Sequence, residues 1–189
     1  MMDVFSIIGE IIRSLLKVVP KLVIIRTTHE GIKFKYGSKV TKINSENGLG
    51  LFSRTGVHIY WPLVTEIEVI PIRRQTADLH SQYLSTKDNV TIGLSGVLVY
   101  QIADVEKTLT ACYNYEETIP EIALAAIKKV VITYDFKYLQ ENGDLVDKHL
   151  TKEMRGFLKP YGVRVVSVCL SDFSKCRVLA LWGASNSGD

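Results

Sequence analysis

Cysteine is scarce and odd in number in this 189-residue chain: Cys112, Cys169 and Cys176, with no Cys-x-x-Cys pair. That excludes a disulfide framework and a paired-cysteine zinc site, and it points to a reducing compartment. Five prolines and 13 glycines are too few for a collagen-like or low-complexity chain. Neither charge dominates, since 23 Lys and Arg against 20 Asp and Glu leave +3, too little for a nucleic-acid binder. No basic region precedes the first apolar run and no small-residue cleavage pattern follows it, so the start does not read as a secretory signal. Catalytic signatures are missing as well. There is no Gly-x-Ser-x-Gly and no Gly-Lys-Ser/Thr, and Gly48-Leu49-Gly50 lacks the third glycine of a dinucleotide fingerprint. The histidines, His29, His58, His80 and His149, are scattered, and no two of them stand at i, i+4 with the intervening Glu that a zinc hydrolase uses. The sequence therefore predicts no catalytic residue, no cofactor, no metal and no nucleic-acid partner.

What is present is a globular composition, 47% hydrophobic and 23% charged, long enough for one good core and a small appendage. The charge is unevenly spread. Residues 1–42 hold eight basic groups against three acidic ones, whereas the remainder holds 15 against 17. A basic amino end suits a negative partner surface.

Residues 3–19 predict a helix with a polar stripe of Asp3, Ser6, Glu10, Arg13 and Lys17. Phe5, Ile8, Ile11, Ile12, Leu15 and Leu16 lie among the apolar residues that fill the rest of its circumference. These seventeen residues rise about 24 Å from first to last against a hydrocarbon core of ~30 Å, and Glu10 and Arg13 near the centre cost ~3 kcal/mol each. A simple span is disfavoured. The pattern fits an in-plane helix with its aliphatic face in the acyl boundary and Arg13 and Lys17 toward head groups. It also fits an amphipathic helix packed on its own domain or on a neighbouring subunit.

Pro20 ends that helix, and Lys21–Thr27 and Ile32–Tyr36 read as a first pair of strands. Residues 37–56, rich in Gly, Ser and Asn, read as a long loop or loose hairpin. Strands follow over 57–61, 65–72, 81–85 and 90–102, the last alternating Val90, Ile92, Leu94, Leu98, Tyr100 and Ile102 on one face. Thr86-Lys87-Asp88-Asn89 is a tight turn. Asp104 caps a short helix to about Tyr113. A second helix runs from Glu116 to Val131, with Pro120 acceptable only in its first turn, and a third runs from Asp144 to Lys159. A strand over 163–170 closes an α+β domain, helices packed on one side of a mainly antiparallel sheet. The carboxylate pairs Glu66/Glu68 and Glu116/Glu117 are explained by a solvated strand face and a helix first turn. Trp61 beside Pro62 is either an interfacial anchor or core.

Four segments stand out in order: Gly56-Val57-His58-Ile59-Tyr60-Trp61-Pro62, Thr86-Lys87-Asp88-Asn89-Val90 with the strand to Ile102, Asp104-Val105-Glu106-Lys107, and Tyr161-Gly162-Val163 ending near Asp172. Together they resemble the SPFH (stomatin/prohibitin/flotillin, band-7) domain family, the first being similar to its Gly-Leu-His-Phe-x-x-Pro segment. The resemblance covers about residues 20–173. It implies a non-enzymatic, membrane-associated scaffold on the cytoplasmic face that oligomerises into rings or cages, and in some branches regulates membrane proteases or channels. It also favours the anchor reading of Trp61, because the family's segment is membrane-proximal. Two features depart from the family pattern: residues after Phe173 do not read as the usual coiled coil, and the amino-terminal element is amphipathic rather than a hydrophobic span. Any assembly is thus expected to use the globular domain or the helix.

The resulting organisation is an amphipathic membrane-associating helix over 1–20, an SPFH-like domain over 21–173, and a short carboxy-terminal segment over 174–189. The membrane contacts expected are Phe5, Ile8, Ile11, Ile12, Arg13, Leu15, Leu16, Lys17 and Trp61, on an anionic lipid surface. Val178, Leu179, Leu181 and Trp182, in an apolar run after the final strand, are the expected homo-oligomer contacts, the alternative being that the run folds back as a strand of its own sheet. The rival reading is a regulatory subunit that docks a membrane protease or channel through the same helix.

Overall fold

The computed structural model describes residues 9–10, 19–46 and 56–176. The chain forms antiparallel sheets with helices, an α+β fold, in two compact units. One comprises residues 1–74, 101–113 and 161–163; the other comprises 75–100, 114–160 and 164–189.

In the first unit, β1 (Lys21–Ile24) pairs antiparallel with β4 (Val57–Tyr60), placing Leu22 opposite Ile59 and Ile24 opposite Val57. The expected pairing of this strand with residues 32–36 does not occur. A turn closed by His29 N–H to the Arg26 carbonyl (2.9 Å) sends the chain into another sheet, while Ile25 N–H reaches the Gly56 carbonyl at 2.8 Å. Gly56 is required there. Its φ is +68°, and a Cβ would run into the Ile25 carbonyl oxygen.

The second sheet has β2 (His29–Lys35) between β3 (Ser38–Ile43) and β5 (Thr65–Pro71), antiparallel to both. Six residues of the expected 37–56 loop are therefore strand. Tyr36 (φ 49°) and Gly37 (φ 75°) form a two-residue turn with both central residues left-handed, the geometry that matches strand twist in a tight hairpin. The β-branched Thr41 and Ile43 then continue the ladder despite their polar neighbours, after a register shift between Lys33 and Phe34 that leaves Val40 without a partner. Ile25, Ile32, Ile43, Ile70, Ile102 and Val105 form the buried core of this unit. Helix α1 (Val105–Ala111) is capped as expected, with Lys107 N–H donating to the Asp104 carboxylate at 3.3 Å, and the buried Thr108 hydroxyl donates to the Tyr161 carbonyl at 2.8 Å.

In the second unit the sheet order is β6 (Arg74–Ser85), β7 (Thr91–Ile102), β8 (Val163–Lys175). Central β7 keeps the predicted alternation, burying Ile92, Leu94, Leu98 and Tyr100. β6 begins seven residues earlier than expected and β8 runs five residues further, since long exposed strand arms carry no apolar signature. Three helices follow: α2 (Tyr115–Val131), α3 (Phe136–Glu141) and α4 (Gly143–Leu158). α3 was not expected. Pro120 is the sixth residue of α2 rather than in its first turn, because Asn114 caps the helix earlier than Glu116, donated to by Glu116 N–H at 3.2 Å. The apolar faces of α2 (Ile119, Ala123, Ile127, Val130) and α4 (Val146, Leu150, Met154, Leu158) are buried.

The β6–β7 turn holds Asn89 at φ 56°. Asp88 accepts from the Thr86 hydroxyl and, at 3.1 Å, from the Phe136 N–H that starts α3. The Thr86 bond leads the effects that hold this exposed carboxyl below its ordinary range.

Candidate functional site

Of the residues expected to act, Phe5, Ile8, Ile11, Ile12, Arg13, Leu15, Leu16 and Lys17 lie outside the described residues, as do Val178, Leu179, Leu181 and Trp182. Trp61 lies within them and is 54% exposed. The core alternative for this residue is therefore wrong. Its backbone is firmly held, because Val64 and Thr65 N–H both donate to the Trp61 carbonyl, at 3.0 and 2.8 Å. This rigid turn carries Leu63, also exposed, and receives Tyr36 N–H on the Val64 carbonyl at 3.0 Å. Two turns thus meet at one end of the unit and present Trp61, Leu63 and Tyr36 to water.

The strand pair that leads into these turns is exposed too. Leu22, Ile24 and Ile59 all face solvent, whereas Ile25 and His58 are buried. Seven of the twelve large apolar side chains exposed among the described residues fall between Val19 and Leu63, which makes this a patch rather than scatter. Sequence reasoning found only Trp61 in it. The run Leu22-Val23-Ile24-Ile25 is apolar throughout, so periodicity alone could not say that one face is open. No helix among the described residues is long and apolar enough to cross a membrane.

The titratable groups are used structurally. His58 pairs through Nε2 with the Asn44 carbonyl at 3.1 Å, and His149 Nδ1 pairs with the Tyr134 hydroxyl at 2.8 Å. Glu66 and Glu68 are both exposed on β5, the solvated face anticipated for them. Glu116 and Glu117 line a groove of about 570 Å³ with Asp78, His80, Tyr100 and Glu121. Burial, followed by the Glu116 charge, pushes the Tyr115 phenol up to about 12, so it stays protonated. Among the described residues no group of three or more His, Cys, Asp and Glu is placed to hold a metal ion. The three cysteines are free, and burial pushes the Cys112 thiol up, away from reactivity.

The β8 edge of its sheet is met by side chains of α4. Along α4, Asp147, Thr151 and Arg155 stand four residues apart and serve the backbone of β8. Leu170 N–H donates to Asp147 (3.3 Å), Val168 N–H to Thr151 (3.1 Å), and Arg155 donates to the carbonyls of Val165 (3.2 Å) and Val166 (3.3 Å). Four backbone groups of this edge strand, between Val165 and Leu170, are thus bonded within the chain.

Comparison with known proteins agrees with the motifs and the fold. The family model described as "SPFH domain / Band 7 family" matches residues 23–177. An uncharacterised protein of Archaeoglobus fulgidus is 24% identical over 165 residues, covering 87% of this chain and 62% of its own length. One from Methanocaldococcus jannaschii is 22% identical over 155 residues, 82% of this chain and 73% of its own. A stomatin homolog of Pyrococcus horikoshii is 23% identical over 117 residues, covering 62% of this chain and 44% of its own. The chain thus spans roughly half to three quarters of the length of these relatives. With the model match extending over most of its length, the chain belongs to the SPFH/band-7 family.

Proposed function

We propose that this chain is a non-enzymatic scaffold that attaches to an anionic membrane surface on its cytoplasmic side and homo-oligomerises there. The observation that carries the reading is membership of the SPFH/band-7 family combined with the amphipathic pattern of residues 3–19. Apolar burial of Phe5, Ile8, Ile11, Ile12, Leu15 and Leu16 supplies the main attachment energy, and Arg13 and Lys17 add about 1 kcal/mol each near anionic lipid. The use of His58, His149 and Asp88 in structural hydrogen bonds supports a role without chemistry of its own.

Self-association is assigned to the apolar run Val178, Leu179, Leu181 and Trp182. Coverage of the β8 edge by α4 turns the argument toward these side chains and away from backbone pairing over Val165–Leu170. Light scattering of the full chain in detergent or lipid tests this part. A large particle that falls to folded monomers when residues 177–189 are deleted is the expected result, and a monomer at micromolar concentration from the outset contradicts it.

A further inference from the structure

We propose that the open edge of β6, with the groove between β6 and α2, takes up an extended peptide segment of another protein, cationic at one end and anionic at the other. The inference goes beyond the scaffold reading and needs no membrane. It starts from a difference between the two edges of one sheet. In the order β6-β7-β8 both outer strands are edges. Side chains of α4 bond the backbone of β8, whereas no backbone hydrogen bond from outside the sheet reaches Thr76–Ser85 among the described residues. β6 is 12 residues long, about 40 Å, and from Gln75 to Ser85 it holds no proline, no Lys or Arg, and Asp78 as its single acidic residue. Proteins ordinarily blunt such an edge with short length, proline, lysine or a cover, because its outward N–H and C=O groups otherwise template another strand.

The groove beside this edge supplies selectivity. Two depressions, of about 570 and 540 Å³, lie along the same pair of elements. The first brings Asp78 together with Glu116, Glu117 and Glu121 near the buried Tyr100, and no Lys or Arg lines it. All four carboxylates are exposed, and none has an ion-pair partner among the described residues. The second is lined by Lys87 and Lys128, with the exposed Tyr83 and Ile132 beside them and no acidic residue. Early residues of β6 meet early residues of α2, and late meet late, so the acidic end lies by Asp78 and the basic end just past Ser85, about 23 Å further along the strand. An added strand gains backbone hydrogen bonds from the edge, and the order of its charges fixes which way round it lies.

The probe is a fluorescein-labelled peptide, Glu-Glu-Ser-Val-Thr-Val-Ser-Lys-Arg-Lys, compared with the same peptide carrying Gln at every charged position. Laid antiparallel to β6, its acidic start meets Lys87 and Lys128 and its basic end meets Asp78 and Glu117. With the full chain in detergent, fluorescence anisotropy is expected to show saturable binding that weakens with salt and is about tenfold or more weaker for the Gln peptide. Asp78→Asn/Glu117→Gln/Glu121→Gln, altered only at exposed positions, is expected to weaken the charged peptide by a similar factor. Hydrogen exchange along Arg74–Ser85 is expected to slow when the peptide is bound. Equal binding of the two peptides, equal binding by the variant, no saturable binding at millimolar peptide, or unchanged exchange along β6 in the bound state each overturns the proposal. If exchange along β6 slows with protein concentration alone and the peptide does not reverse it, the edge is a contact between copies and the peptide assignment is wrong.

Discussion

In the unit built on β6–β8, Leu94, Leu98, Ile127, Leu150 and Met154 are all sealed from water, whereas in the other unit the β1–β4 ribbon leaves Leu22, Ile24 and Ile59 facing it. Both regions are rich in aliphatic residues, so composition does not separate them. What differs is the number of layers. Buried faces of β7, α2 and α4 give the first region a filled core, and side chains of α4 even satisfy the backbone of β8. The ribbon has two strands and one buried face. Its other face carries apolar residues that stay largely open to water among the described residues.

The comparison breaks most visibly on truncation. Leu150→Ala, in the sealed region, should cost about 2–5 kcal/mol, read as a lower urea midpoint at unchanged slope. A loss as small as that of a surface substitution would mean that the unit is not packed as described. Next in size is Asn89→Ala, where a left-handed backbone without Asn or Gly should cost about 1 kcal/mol and Asn89→Gly should recover most of it.

Asp88→Asn sharpens the picture through pH. The folded carboxyl is held below its ordinary range, first by the Thr86 hydroxyl and also by the Phe136 N–H, with burial opposing. Its charge therefore stabilises the fold above the unfolded pKa near 3.8, and that contribution disappears as pH falls through the lower folded value. The variant should be less stable than the parent at pH 7 and converge with it as pH falls below the ordinary carboxylate range. A constant offset at every pH would show that the charge is irrelevant. Smallest of all, Leu22→Ala on the open ribbon should change stability by no more than about 0.5 kcal/mol. A loss comparable to Leu150→Ala would mean that the ribbon face is covered in the free protein.

The sequence made the sealed region more legible than the open one. β7 could be read because its alternation is local, and α4 because Val146, Leu150, Met154 and Leu158 make one stripe. The Asp104 cap and the Asn89 turn are equally local. The pairing of β1 was not legible, since its partner β4 lies more than thirty residues away and alternation names no partner. β3 was hidden because Ser38, Lys39 and Lys42 outnumber its apolar positions, and α3 because six residues offer too little periodicity. The open patch was missed for the opposite reason. An unbroken apolar run reads as buried on both sides, and only the register of a two-stranded ribbon shows that one side is open among the described residues.

The most direct test of the central claim is sedimentation of the full chain with anionic vesicles, compared with Ile8→Glu/Ile11→Glu. The account predicts that the parent pellets with the vesicles, less so as salt rises, and that the variant stays in solution. A variant that sediments as completely as the parent, or a parent that ignores the vesicles altogether, would contradict it.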